Sequence, residues 1–395
     1  MRKYLIYSTL AILGAAVSII IYFSIYGLKT ESFNDLISDK IKEINPKLSL
    51  NIDDVFLKLN AKERTINIRT QDAKIFIDKE FIKLSQIDLN LNILNFLKKE
   101  NSIKKIKITT DKNKIKKFAD FINAYKFSVA RLLIFNQIKD GQIAAEININ
   151  FIDKTVSEFV FDVNAKIRDA KLNILNEHKI EKINFDLNIK DKIYIIENTT
   201  FSNKGINFSS KKILIENVDD SYEVEGDLTN IKGPIDTKYL KKILNYKINF
   251  LDNKKIIAET KNEFKFKINS KNKIKDLNLV SIINFKENLI NKKIQNLISL
   301  QNGNIISSYK KNNLNVNVDS GYSFLKDGYK NNQKDKINIK IVKKNNENFE
   351  IEALIKNENN SINTIELSKY LKLKNKIIKD QDIIFGSDNQ IFFSI

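Results

Sequence analysis

The chain has 395 residues, 42% of them hydrophobic, with 25 Phe and 13 Tyr. That is enough apolar material for a packed core, and it excludes a disordered chain despite 29% charged residues. The lack of Cys excludes disulfides, thiolate metal sites and thiol catalysis. The net charge of +19 raises a nucleic-acid reading, but Arg occurs only at Arg2, Arg64, Arg69, Arg131 and Arg168, and the lysines are spread along the chain among Asp and Glu. Base and phosphate readers favour the planar fork of Arg, so no nucleic-acid partner is expected.

From Tyr4 to Leu28 there is no charged side chain, and Arg2 and Lys3 precede the run. At about 1.5 Å per residue, a helix of that length crosses a hydrocarbon layer of about 30 Å. A transmembrane anchor over residues 1–28 is therefore expected, with Tyr4, Leu5, Ile12, Ile20, Tyr26 and Leu28 among its residues. A cleaved signal peptide is the alternative, but its apolar part is about 7–15 residues long and ends in a small-x-small site. Here Gly14, Ala15 and Ala16 fall mid-run, which favours retention. Lys29, Lys40 and Lys42 offset Arg2 and Lys3, so counting positive charges does not orient the helix. The short basic tail favours a cytoplasmic N-terminus and an exported body.

After the run, Phe33, Leu36, Ile37, Ile41 and Ile44 follow helical spacing, and Pro46 marks a stop. The period then changes to two. Short strands are expected at Leu48–Ile52, Val55–Leu59, Ile66–Ile68, Ala73–Ile77 and Ile87–Ile93. Ile115, Phe118, Ala119 and Ile122 form one face of a second amphipathic helix. Alternation resumes at Ile143–Phe151, Phe159–Ile167, Ile183–Ile189, Ile193–Ile195, Ile206–Phe208, Ile213–Ile215 and Tyr222–Leu228. Polar turns are expected at Lys139-Asp140-Gly141 and Asp219-Asp220-Ser221. Beyond Gly233-Pro234, further helices are expected at Leu240–Leu244 and Ile290–Ile298, and strands recur to Ile355, with hairpin loops around Asn331 and Asn345.

The fold class expected is mainly β: a transmembrane helix, then an extended antiparallel β-meander or β-groove with a few short amphipathic helices. The organisation expected is an anchor at 1–28, a helix-plus-β unit at 29–130, a central β-groove unit at 131–246 and a C-terminal β-rich unit at 247–395. Few short helices cannot cover so many one-sided strands. Either a second sheet closes a sandwich, or the sheet is a trough filled by something else, and periodicity does not choose between them.

The chain carries no reactive constellation. His178 is the one histidine, in Asn176-Glu177-His178-Lys179, without triad or metal partners nearby in sequence. The pairs Asp53-Asp54 and Asp219-Asp220 lack calcium-loop spacing, and the scattered glycines form no phosphate cradle. No enzyme, no cofactor and no metal are expected.

The basic start, apolar run, amphipathic helix and long meander resemble the AsmA-like superfamily, and within it the YhdP-type proteins. The local match runs from Phe159 to Leu244, through Ala165-Lys166-Ile167-Arg168-Asp169-Ala170-Lys171-Leu172, Val224-Glu225-Gly226-Asp227-Leu228 and Gly233-Pro234-Ile235-Asp236. The resemblance implies a bacterial inner-membrane protein with a periplasmic β-groove, supporting phospholipid transport between inner and outer membranes and envelope integrity. Its partners are then the acyl chains of membrane phospholipids, together with envelope proteins of unknown identity. Phe159, Phe161, Val163, Phe185, Leu187, Phe208, Tyr222 and Val224 are the candidate groove lining. Family members are usually much longer, so this is a short or truncated member. The alternative function is an anchored assembly factor for outer-membrane proteins that offers strand edges.

Overall fold

In the computed structural model, residues 2–30, 34–98, 103–125, 136–151, 159–174, 178–219, 221–236, 255–271, 273–286, 298–324, 329–330, 335–344, 348–370 and 379–394 are described. The chain is mainly β and divides into two compact units, Met1–Phe201 and Ser202–Ile395. Each is an open antiparallel meander in which most strands pair with the next in sequence.

The first unit opens with helix α1 (Arg2–Ile25), whose side chains are described at Tyr7, at Leu13 to Ala15 and from Val17 onward. Tyr26 and Gly27 then turn the chain, and Leu28 enters β1 (Leu28–Thr30), opposite Leu57. Gly27 has φ 73, and a Cβ there would lie 2.6 Å from the Leu57 carbonyl oxygen, so this turn needs glycine. Among the described residues no helix is long and apolar enough to cross a membrane. This corrects the expected transmembrane anchor. Of its named residues, Ile20 is an exposed helical position, Tyr26 lies in the turn and Leu28 belongs to the sheet; the side chains of Tyr4, Leu5 and Ile12 lie outside the description. The inner-membrane location and topology that rested on the anchor are corrected with it.

Helix α2 (Asn34–Ile44) carries Asp35 in its first turn and Lys42 in its last, both favourable to the helix dipole, and buries Ile37. Next come β2 (Leu48–Asn51), β3 (Asp54–Asn60), β4 (Thr65–Ile77) and β5 (Glu80–Asn92). β2 and β3 lie end to end along one edge of β4, and β5 takes the other edge. Asn92 caps the short α3 (Ile93–Leu97), its Oδ1 accepting from the N–H groups of Leu94 and Asn95. Then follow β6 (Ile103–Thr110), β7 (Asn113–Lys114), α4 (Ile115–Tyr125), β8 (Ile138–Phe151), β9 (Phe159–Ile174), β10 (His178–Lys190) and β11 (Ile193–Asn203). β6 and β7 again share one edge of β8, and β9 lies between β8 and β10. Asp191 and Lys192, both at positive φ, make the two-residue turn from β10 to β11, with the backbone twist hairpins prefer.

The second unit contains β12 (Ile206–Val218), β13 (Ser221–Asp236), β14 (Lys255–Ile268), β15 (Ile274–Phe285), β16 (Ile298–Lys310) and β17 (Asn313–Phe324). It continues with β18 (Tyr329–Lys330), β19 (Lys336–Lys344), β20 (Glu350–Asn363), α5 (Thr364–Tyr370) and β21 (Asp382–Ser394). β12 to β17 pair in sequence, β17 pairs with β19, and β20 carries β18 and β19 on one edge and β21 on the other. Its core centres on Ala258, Phe285, Leu300, Tyr322 and Ile337. Buried Asp335 is held beside that core by the side chain of Asn360 and the N–H of Glu358.

Several expectations change. Lys139 to Gly141 form part of β8 rather than a turn, and Ile93 opens α3 rather than ending a strand. The helix expected at Leu240–Leu244 lies outside the described residues, as do the loops around Asn331 and Asn345 and the expected helix from Ile290, although Ile298 itself opens β16.

Candidate ligand-binding face

The register of the first unit sorts its side chains sharply. Leu57, Ile68, Leu89, Ile106, Ile149 and Phe161 are successive cross-strand partners from β3 to β9, so they form one row on one face. A parallel row runs through Ile87, Ile108, Ile147, Val163 and Ile189. Because side chains alternate along a strand, the reverse face collects the intervening residues. It carries Arg69, Asp88, Lys107, Asn148 and Asp162 in a matching row. Charge alternates there: Arg69 Nε lies 2.7 Å from Asp88 Oδ1, and Lys107 Nζ 2.9 Å from Glu146 Oε2. A one-residue slip would exchange the faces, so this segregation fixes the register.

Cover is uneven across the apolar face. Phe118 and Phe121 of α4 and Ile37 of α2 pack on the cluster around Ile68, Leu89 and Ile106. Exposure along the row rises from 0% at Ile68 through 7% at Leu89 and 8% at Ile106 to 44% at Phe161. Ile115, at the start of α4, reaches a second cluster of Ala145, Ala165, Ile167, Ala170 and Ile183, against which Phe185 and Leu187 are half-buried. Among the described residues α4 contacts β4, β5, β7 and β8, and the cover thins toward β9.

Phe161, Val163, Phe185 and Leu187 therefore share one face, since Leu187 pairs with Ala165 and Phe185 with Ile167 on the same parity of β9. Phe159 sits on that strand opposite Phe151, with its side chain outside the description. Phe208, Tyr222 and Val224 lie in the second unit and share a face there. Val224 is buried between Ile215 and Phe266, whereas Tyr222 is exposed.

What sequence reasoning missed is a set of bulges that shape this face. Asp72 in β4, Asp169 in β9, Lys182 in β10 and Asn198 in β11 sit mid-strand with φ between 52 and 53, and at Asp169 and Lys182 the register shifts as at a bulge. A bulge of this kind bends a strand and raises its twist. The signal was a change of parity in the apolar alternation, as from Ile167 to Ala170.

Arg168 pins the bulge between β9 and β10. Its Nη1 donates to the carbonyls of Ile167 and Phe185 at 2.7 and 2.8 Å, and its Nη2 meets Asp186 Oδ1 at 2.6 Å. Asn198 donates to the other Asp186 oxygen at 3.1 Å. The hydrogen bond from Arg168, then that from Asn198, holds the Asp186 carboxyl below the usual carboxylate range. Lys107, then Asn148, does the same for Glu146.

Arg168→Lys keeps the charge but loses the fork that bridges two strands. The Arg168 and Asp186 side chains are 43% and 33% exposed, so water screens the pair and the expected loss is about 1 kcal/mol. A carboxyl with a depressed folded pKa contributes stability that is complete above its unfolded value, about 3.9, and is lost as pH falls through the folded one. The penalty of Arg168→Lys is therefore expected to be largest at neutral pH and to shrink in acid. Denaturation midpoints of parent and variant at several pH values check this.

The polar face bears a shallow cleft of about 370 Å³ lined by residues including Glu146, Lys166, Asp186, Asn188 and Glu197. Its charges are of mixed sign, with Glu146 paired to Lys107 and Asp186 to Arg168. Among the described residues, no group of three or more His, Cys, Asp or Glu side chains could hold a metal ion. His178 starts β10 opposite Ile174, and nothing further is described of its side chain.

No family model matches this chain, and no curated protein or solved structure does. The resemblance to AsmA-like and YhdP-type proteins is thereby corrected, because its short Gly-Asp and Gly-Pro signatures also occur in ordinary β-meanders. Membrane-anchored phospholipid transport between two membranes falls with it and with the anchor, as does the anchored assembly-factor alternative.

Proposed function

We propose that the protein is a binding protein without catalysis, and that the thinly covered apolar face on β8, β9 and β10 takes the acyl chains of lipid ligands. The observation that supports this most is Phe161, 44% exposed at the end of an apolar row in which Ile68, Leu89 and Ile106 are buried and Leu57 and Ile149 are half-buried. Each methylene withdrawn from water contributes about 0.8 kcal/mol. A chain lying along Phe161, Val163 and Leu187 would thus be held by contacts these strands already offer. The intervening Asp162, Asn164 and Lys166 stay on the wet face. Such binding needs no reactive side chain.

Phe161→Asp tests the reading. Phe161 is exposed, so the variant is expected to fold as the parent does, while affinity for a fluorescent long-chain fatty acid falls at least tenfold. Asp162→Ala, on the opposite face, should leave affinity unchanged. Equal binding by the parent and Phe161→Asp would dismiss the proposal.

A further inference from the structure

β21 is a long strand at the edge of its sheet. It pairs with β20 on one edge, and among the described residues no strand pairs with the other. It is also apolar on both faces: Ile383, Ile391 and Phe393 are 39%, 47% and 46% exposed on one, and Ile384 and Phe392 are 71% and 66% exposed on the other. A long apolar edge strand is a template for another strand, and proteins usually blunt such edges with charge, proline or a short length. β21 has thirteen residues, no proline and a mid-strand charge, Asp388, opposite Lys356 of β20.

The sequence of β21 identifies the occupant. Read outward from Asp388, Phe385-Ile384-Ile383-Asp382 on one side matches Ile391-Phe392-Phe393-Ser394 on the other. We propose that β21 pairs antiparallel with β21 of a second copy of this chain, about a two-fold axis through Asp388. Such a self-complementary interface is the commonest way in which identical chains associate. The pairing sets Ile383 opposite Phe393 of the second copy, and Ile384 opposite Phe392 of the second copy. Directly opposed residues point to the same side in an antiparallel pair, so apolar meets apolar on both faces. The two Asp388 side chains meet at the axis, where like charges repel. Lys356 of β20, opposite each of them and ion-paired with Glu358 at 2.8 Å, leaves that repulsion only partly offset, so the apolar pairs on either side must supply the attraction.

The chain has no Cys, so a single introduced thiol reads the register directly. At the axis, opposed Cα atoms stand about 4.5–5.5 Å apart, within disulfide reach. Residue 384 stands as far from its own copy as from residue 392, roughly 27 Å at about 3.4 Å per residue. With full-length protein at micromolar concentration under a mild oxidant, Asp388→Cys is expected to convert to a covalent dimer. Ile384→Cys should stay monomeric, and the double variant Ile384→Cys with Phe392→Cys should crosslink. Adding Phe392→Lys to Asp388→Cys should slow crosslinking at least tenfold. α1 also exposes apolar side chains, so particle mass alone does not assign this interface, whereas the position dependence does. Crosslinking of Asp388→Cys no faster than that of Ile384→Cys, or unaffected by Phe392→Lys, would overturn the proposal.

Discussion

Ile68→Asp is expected to abolish protection across β4 and β5 in hydrogen exchange. Ile68 is fully buried between Leu57 and Leu89 in the row beneath α4, and no cation stands in that row to pair with a carboxylate. Burying an unpaired charge costs several kcal/mol, comparable to the stability of a whole domain. Ile68→Ala separates charge from volume. It leaves a cavity that costs about 2–5 kcal/mol, so partial protection should persist. Hydrogen exchange suits a chain of two units, for which one global unfolding energy is not defined. Native-like protection in Ile68→Asp would mean that this face is wet, and the description of the core would fail.

The second large effect belongs to the other unit. Gly303 pairs with Phe285 across β15 and β16, and the Phe285 ring lies over it. A Cβ built at Gly303 would stand 2.2 Å from Phe285 Cζ, 2.6 Å from its Cε1 and 2.8 Å from Ser320 Oγ. Phe285 is only 2% exposed and anchors the core with Leu300 and Tyr322, so the ring has nowhere to retreat. Aromatic cover of a strand glycine is a recognised packing device, and forcing bulk beneath it strains the core. Gly303→Val is expected to destabilise this unit by about 3 kcal/mol, and its effect should be much smaller when measured in a Phe285→Ala background. Hydrogen exchange of β15 and β16 in Gly303→Val, Phe285→Ala and the double variant checks the coupling, and additive losses would show that the ring is not the obstacle.

The meander was legible because Ile, Leu and Val alternate so strictly with Lys, Asn and Asp that one face of each strand has to be apolar. α2 and α4 were legible for the matching reason at helical spacing. Strand ends were not. Ile66–Ile68 and Ala73–Ile77 read as two strands because the apolar residues switch from even to odd positions, yet they form one continuous β4. Asp72 takes φ 53, a conformation Asp tolerates, and this local distortion, opposite Ser85 with no shift in register, changes parity without ending the strand. The same holds for Ile206–Phe208 and Ile213–Ile215 within β12, where the register shifts between Ser209 and Ile213. Alternation alone cannot tell a bulge from a turn, because both reset the phase.

The shared face of Phe161, Val163, Phe185 and Leu187 was also legible, since parity within β9 and β10 is local information. How thickly that face is covered was not. It depends on α4 reaching β4, β5 and β8 but thinning toward β9, a long-range fact that no local pattern carries. The apolar run at the N-terminus misled for a related reason. Hydropathy gives no warning that Gly27 turns the chain and that Leu28 pairs with Leu57 in the sheet.

The proposed binding of acyl chains at the apolar face of β9 is tested most directly by site-specific photocrosslinking. A photoreactive side chain placed at 161 looks onto the apolar face, and one at the adjacent 162 onto the polar face. Incubated with long-chain fatty acid or phospholipid and irradiated, full-length protein labelled at 161 is expected to form a lipid adduct visible by intact mass, while protein labelled at 162 forms little or none. Equal labelling at both positions, or no adduct at 161, would contradict the account.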